Sequence, residues 1–279
     1  MLDLAIATCV PLPEPDPDEA PLAEALDRAG LTYAFAGWHV DPWPAARATL
    51  LRSTWDYPWR IGDFRTWIDR VATGGELWND AATVRWNLHK RYLLDLEAAG
   101  LPVTPTELVP AGSTEPLDGI LARRGWEVAV VKPAVSAGSF RTLKTERGDP
   151  AGEAHLRALA TDRDVLVQQY LASVEGYGER ALVWIDGEVT HSVRKTPRFQ
   201  GEDESVSEAM PITEAQRALA AHAVATVPGD LLYARIDVAP GPDGAPVIME
   251  LELIEPSLFF PQCPEALDRF VAAIRRRLA

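Results

Sequence analysis

The 279-residue chain carries 41 acidic against 27 basic side chains, a formal charge of −14 at pH 7. Such a balance repels polyanions and argues against nucleic acid or anionic membrane as a partner; any phosphate handled here must be held locally, by placed cations and a divalent metal. Its 47% hydrophobic content excludes disorder and supplies a sizeable core, in one large domain or two of ordinary size.

No run approaches the roughly 18 apolar residues of a membrane helix. The opening MLDLAIATCVPLPEPDPDEA has no basic region and turns acidic at once, unlike a signal peptide, so the expected address is the cytoplasm. Cys9 and Cys263 are the only cysteines, too few for a disulfide framework or a thiolate zinc site.

In chain order, apolar runs at residues 4–7, 31–35 and 50–51 alternate with helices expected over 21–29 and 63–71, a βαβ rhythm that predicts a parallel sheet. The second helix has Asp63 as its starting cap and Phe64, Trp67, Ile68 and Val71 at helical spacing. An amphipathic helix follows over 87–100 and closes on Gly100 before the extended LPVTPT. Strands are expected at 128–132, 141–145 and 165–171, with helices at 117–124 and 152–160. A hairpin spans 180–194 with its turn at Asp186-Gly187. A helix at 214–227, strands at 233–238 and 247–253 and a closing helix at 264–279 complete the chain. Arg198 and the acidic GEDES stretch read as a mobile loop.

Asp237 on one strand and Glu250 with Glu252 on the next carry the sharpest chemical signal. Residues two apart on a strand share a face, so both glutamates project together from a run otherwise built of Ile, Met and Leu. Crowded carboxylates repel, and an oxygen-seeking cation such as magnesium bridging nucleotide phosphates relieves them. A ribbon with one wet face fits the strand pair equally well. Lys90 on a helix and Lys132 at the end of VAVVKP suit a phosphate site, although a helical lysine is more often simply solvated. The small-residue loop of Ser136, Ala137, Gly138 and Ser139 leaves backbone N–H groups free to approach phosphate. His39, His89, His155, His191 and His222 show no metal spacing, and no serine sits in a nucleophile elbow.

Taken in order, NLHKRYLLDLEAAGLPVTPT, VVKPAVSAGS, VLVQQYL, the GERALVWIDGEV hairpin with HSVRK, RIDV and MELELIEPS resemble the ATP-grasp superfamily over roughly residues 85–279. The resemblance implies an α/β (α+β) ATP-grasp fold with an N-terminal α/β domain: residues 1–85 on the substrate side, 86–165 as the first ATP-grasp subdomain, and 166–279 as the second, with the metal site. It implies that Lys90 and Lys132 contact ATP phosphates beside Ser136, Gly138 and Ser139. Gln169, Tyr170 and Leu171 would present backbone to adenine, and Glu175 or Glu179 would reach ribose. Asp237, Glu250 and Glu252 would hold Mg2+, with Mn2+ as the other candidate. Glu252 stands where many members carry asparagine. Arg180, Arg235 and Lys195 are the expected catalytic cations, with Arg194 on the same strands and exposed pairing as the other reading of these arginines.

The segment LRSTWDY, directly after a buried-looking strand, offers Arg52, Ser53, Thr54 and Asp56 as substrate contacts, joined by Ser257; Trp55 and Trp59 read as packing. RSTWDY and IEPSLFF are similar to the O-ureido-D-serine cyclo-ligases of D-cycloserine biosynthesis. The expectation is an ATP-dependent ligase acting on an amino acid-like small molecule through a phosphate-activated intermediate. An intermolecular dipeptide ligase and a small-molecule kinase are the other readings of the scaffold, and a homodimer is one assembly it allows.

Overall fold

The computed structural model describes residues 1–196 and 205–279. The loop expected around Arg198 and GEDES falls almost wholly on residues 197–204, outside the described residues.

The N-terminal apolar runs form a parallel sheet of β1 (Leu2–Thr8), β2 (Tyr33–Gly37), β3 (Ala46–Leu51) and β4 (Glu76–Trp78), in the order β2-β1-β3-β4. The crossovers are α1 (Glu19–Arg28) and α2 (Ile61–Gly74). Arg60, not Asp63, occupies the cap position of α2; Asp63 lies in the first turn, where its charge suits the positive end of the helix. Phe64, Trp67, Ile68 and Val71 are all buried, as their spacing requires.

Where one helix is expected over 87–100, the chain makes two. α3 (Ala81–Asn87) stops, and α4 (Tyr92–Ala98) starts beyond a turn that contains Lys90. Released from a helical ladder, the Lys90 backbone N–H donates to the Ala134 carbonyl at 2.7 Å.

The middle sheet is antiparallel. Its strands β5 (Thr106–Val109), β6 (Val128–Pro133), β7 (Leu143–Glu146) and β8 (Val165–Gln169) run in the order β5-β8-β6-β7. Ala129 and Val131 pack against α5 (Leu117–Arg124) and α6 (Pro150–Ala160), so alternation turns Val130 and Lys132 to the opposite face. Because β8 pairs with β5 and β6, the chain leaves this sheet after Gln169 rather than at residue 165.

After α7 (Ser173–Tyr177), a second antiparallel sheet joins β9 (Glu179–Ile185), β10 (Glu188–Lys195), β11 (Tyr233–Pro240) and β12 (Pro246–Glu252) in the order β10-β9-β11-β12. Asp186 and Gly187 turn the hairpin with φ of 44° and 93°, the left-handed pair that a two-residue turn between twisted strands favours. α8 (Glu214–Ala225) and α9 (Pro264–Leu278) complete the elements.

The N-terminal and C-terminal sheets share a core between their facing sides. Leu4, Ile6 and Leu50 share one hydrophobic cluster with Ala181, Val183, Tyr233 and, from α9, Phe270 and Ile274. Asn79, buried at this junction, donates to the carbonyls of Tyr233 (2.9 Å) and Leu253 (2.8 Å) and accepts from the Leu232 N–H (2.8 Å). The outer edge of β12 is satisfied in the same way. Asn87 donates to Leu251 O (2.8 Å) and accepts from Leu253 N (2.9 Å), the Tyr92 hydroxyl accepts from Leu251 N (3.1 Å), and Thr104 N donates to Ile248 O (2.8 Å). An edge strand whose backbone is fully bonded is held in register, and β12 is the strand that carries Glu250 and Glu252. Among the described residues no helix is long and apolar enough to cross a membrane.

Candidate active site

A cavity of about 490 Å3 is lined from both antiparallel sheets and from the loops after β1 and β3, a size in the range of small-molecule and cofactor sites. On the C-terminal sheet, Asp237 pairs across the strands with Glu250, and Arg235 with Glu252. All four side chains line the cavity, with Lys195 and Glu179 from the neighbouring hairpin. Lys195 Nζ lies 2.6 Å from Asp237 Oδ2 and 3.5 Å from Glu179 Oε2. Arg235 Nε donates to Asp237 Oδ1 at 3.0 Å, and its Nη2 also donates to Glu252. Burial by itself would raise the Asp237 carboxyl, but Arg235 and Lys195 outweigh it and hold the group below its ordinary value. Glu252 is pushed up to about 7, by burial first and then by Asp237 and Glu250 against the pull of Arg235.

Lys132 faces the cavity from β6, and Lys90 reaches it from the break between α3 and α4, donating to Glu250. Burial would raise Glu250, yet Lys90 and Lys132 bring it below its usual value. Lys132 is itself lowered by burial, with Glu250 opposing. Ser136, Gly138 and Ser139 line the same wall; Gly138 and Ser139 take φ of 56° and 58°, a left-handed stretch that glycine accommodates without strain. Gln169, Tyr170 and Leu171 form the far end with Val130, Val174 and Met249. Glu175 is not brought to the cavity: it is exposed and bonds Lys144 (2.6 Å) and the Tyr170 hydroxyl (2.9 Å). Glu179 is brought there.

Six other candidate residues end elsewhere. Arg180 and Lys195 have opposite parity in the β9–β10 register, where Arg180 opposes Arg194 and Lys195 opposes Glu179. Arg180 therefore points off the far face, buried, donating to Pro211 O at 2.8 Å and to the Ser192 hydroxyl. Arg194 is exposed. Arg52, Ser53 and Thr54 turn into the N-terminal domain: Arg52 pairs with Asp18 at 3.2 Å with both side chains at most 2% exposed, and Ser53 meets Thr8 at 2.8 Å. Asp56 accepts from the Trp38 indole at 2.6 Å. These polar groups secure the loop after β3, and the residues it offers to the cavity are Tyr57, from the polar cluster expected there, and Trp55 and Trp59, expected only to pack. Trp59 also meets Phe140 of the small-residue loop edge-on, ring centroids 5.2 Å apart. Met249 and Glu255 were missed as well. Met249 lines the cavity beside Glu250 because a bulge between Asp237 and Val238 breaks the strict alternation of β12. Ser257 lines the cavity as expected, its carbonyl accepting from Arg235 Nη1 at 3.4 Å.

The lining carries six carboxylates (Glu14, Glu179, Asp237, Glu250, Glu252, Glu255) against four cations (Lys90, Lys132, Lys195, Arg235). As they stand, no three acidic, histidine or cysteine residues among the described residues form a metal-ligating group, because Asp237, Glu250 and Glu252 are each turned onto a lysine or arginine. The donor set nevertheless fits a hard divalent cation: all oxygen, on paired strands, with negative charge in excess.

Residues 4–79 match the family model of the D-cycloserine synthetase DcsG N-terminal domain. Over 94% of its length the chain is 34% identical to the cycloserine biosynthesis protein DcsG of Streptomyces lavendulae, 94% of which is covered. The crystal structure of D-cycloserine synthetase DcsG superposes with a TM-score of 0.88 at 32% identity, covering 99% of each chain. A D-alanine–D-alanine ligase from Bacillus anthracis shares the fold alone, with a TM-score of 0.71 at 15% identity over 100% of this chain and 99% of that one. Ligases of this fold use ATP and a divalent metal. The chain belongs to the D-cycloserine synthetase family of ATP-grasp ligases and is an ATP-dependent ligase.

Proposed function

We propose that the cavity binds ATP with Mg2+, which Mn2+ can replace, and closes O-ureido-D-serine, an amino acid-like carboxylate, into a ring. One observation carries the reading: four cations and the carboxylates Asp237, Glu250 and Glu252 converge on one cavity in a chain 34% identical to a cycloserine biosynthesis protein. The first 85 residues supply the substrate side, the middle sheet the first nucleotide-binding half, and the C-terminal sheet the second half with the metal site.

Lys90 and Lys132 neutralise the ATP phosphates, assisted by the backbone at Ser136, Gly138 and Ser139. Adenine lies among Val130, Leu171, Val174 and Met249 and bonds the backbone at Gln169, Tyr170 and Leu171; Glu179 takes the ribose hydroxyls. Asp237, Glu250 and Glu252 hold the metal, which when bound neutralises phosphate charge and polarises the transferred group. The γ-phosphoryl group passes to a substrate carboxylate oxygen and ADP leaves. A nitrogen of the same molecule then attacks the acyl carbon, and phosphate departs with the C–O bonding pair. Arg235 and Lys195 stabilise the charge on the acyl phosphate and on the tetrahedral centre, while Ser257 and the walls of Trp55, Tyr57 and Trp59 position the substrate and exclude water.

The test is release of ADP and phosphate from MgATP with O-ureido-D-serine, its L-enantiomer and amino acids offered singly and in pairs. Release with the ureido substrate alone supports ring closure. Release only with a pair makes the protein an intermolecular ligase, and a phosphorylated product without free phosphate makes it a kinase.

A further inference from the structure

Among the cavity carboxylates, Glu255 stands apart in how its charge is met. Glu179, Asp237, Glu250 and Glu252 each meet a lysine or arginine. No lysine or arginine among the described residues lies within ion-pair distance of Glu255. Its backbone is fixed, since the Trp55 indole N–H donates to the Glu255 carbonyl at 3.1 Å. The buried Tyr57 phenol lies beside its carboxylate as a neutral neighbour, with carboxylates Glu252 and Glu250 close by. Burial first, then repulsion from Glu252 against the pull of Lys90, raises this carboxyl to about 8, as expected of a half-buried acid whose nearest cation is engaged elsewhere, Lys90 being bonded to Glu250.

Aromatic side chains share this side of the cavity. Trp55, Tyr57 and Trp59 line it from the single loop after β3, a loop that the buried Arg52–Asp18 pair anchors from behind. One carboxylate framed by aromatic rings suits an organic cation: the acid supplies the ion pair and the ring faces supply the quadrupole. A divalent metal would require several oxygens converging on one point, whereas Glu250 and Glu252 are turned onto Lys90 and Arg235.

We infer that Glu255, supported by Tyr57 and the Trp55 and Trp59 walls, anchors the ammonium group of the substrate, which restricts this ligase to amino acids with a free amine. The assignment rests on the ligase reading of the cavity and adds a specificity-determining residue to it. An ammonium at Glu255 fixes the carbon that bears it on the N-terminal side of the cavity. The neighbouring carboxylate is thereby presented toward Arg235, which bonds the Ser257 carbonyl two residues along the same segment. N-acylated and desamino analogues lose this anchor.

The experiment is calorimetric binding to the full-length protein in the presence of Mg2+ and a non-hydrolysable ATP analogue. The ligands are O-ureido-D-serine and its desamino counterpart, 3-(ureidooxy)propanoate. The wild type should prefer the amine by about 10- to 100-fold, the range of one charge-assisted contact in a partly buried site. In Glu255→Gln, which keeps the shape and the hydrogen-bonding ability, the preference should vanish while affinity for the desamino ligand and for the nucleotide is retained; Glu255→Asp should keep part of it. An unchanged preference in Glu255→Gln overturns the assignment, as does an equal loss for both ligands, or a wild type that does not distinguish them. Failure of the ligase reading shows separately, as absence of nucleotide binding and of ADP release by the wild type.

Discussion

Lys195 Nζ and Asp237 Oδ2 meet at 2.6 Å with both side chains under 10% exposed. The lysine is raised above its ordinary value: burial and Arg235 oppose its charge, but Asp237 and Glu179 more than compensate. It therefore stays protonated at any working pH. Lys195→Met removes one of the two cations compensating Asp237. The expected result is a loss of at least about 100-fold in kcat/KM, from lost charge stabilisation, together with a stability loss of about 2–4 kcal/mol from the unbalanced carboxylate. Steady-state ADP release and denaturant unfolding read the two effects separately.

Arg180 should behave differently, because it lies on the other face of the same hairpin. Arg180→Ala leaves the Pro211 carbonyl and the Ser192 hydroxyl without their donor, with an expected cost of about 2–4 kcal/mol. KM for ATP should stay within about threefold of the wild type, since no nucleotide contact is removed. Thermal unfolding paired with nucleotide titration checks both; a selective rise in KM would return Arg180 to the nucleotide site.

Asn79→Ala should loosen the joint between the sheets. Three hydrogen bonds from one buried side chain are lost, all to β11 or to the residues that flank β11 and β12. A stability loss of about 2–4 kcal/mol is expected from the stranded backbone groups, together with a fall in kcat as the strand bearing Glu250 and Glu252 loses its register. Unfolding curves and turnover at saturating ATP measure these.

Glu255 makes its own contribution to the pH dependence of the metal- and nucleotide-free protein, beside that of Glu252. Its native value of about 8 lies above the ordinary 4.5, so between these values the folded protein binds a proton that the unfolded chain has released. The corresponding stabilisation is complete below about pH 4.5 and is lost as pH rises through about 8. Glu255→Gln removes this dependence. Relative to the wild type, its melting temperature should therefore gain as pH is raised from 5 to 9, in a series of thermal melts at constant ionic strength.

How much of this was legible in the sequence depended on whether a signal was local. Glu250 and Glu252 could be read because period two alone puts them on one face, and the Asp186-Gly187 turn because two left-handed residues in succession admit few types. Met249 could not be read, since the bulge that turns it inward is a property of the pairing with β11. Arg180 looked equivalent to Lys195 until the hairpin register set their parity. Lys90 was assigned to a helix because nothing in NLHKRYLL marks the break; what makes it is the distant Ala134 carbonyl. Arg52, Ser53 and Thr54 were read as ligand contacts because they are polar beyond a strand end, yet Asp18 and Thr8, the partners of Arg52 and Ser53, come from another part of the chain and turn these two inward, and Thr54 is buried beside them.

The core that the N-terminal and C-terminal sheets share bears on how this protein can be re-engineered. The loops that would choose a substrate hang from β1 and β3, and those strands are packed on Tyr233 and α9, the final segment of the chain. A chimaera that grafted only the first 80 or so residues of a relative would face a foreign C-terminal helix and a cavity-forming mismatch at Phe270 and Ile274. Exchange of specificity has to move both ends of the polypeptide together, while the middle sheet keeps one core of its own behind α5 and α6 and shares the other, at Ala134 and Leu166, with the C-terminal sheet.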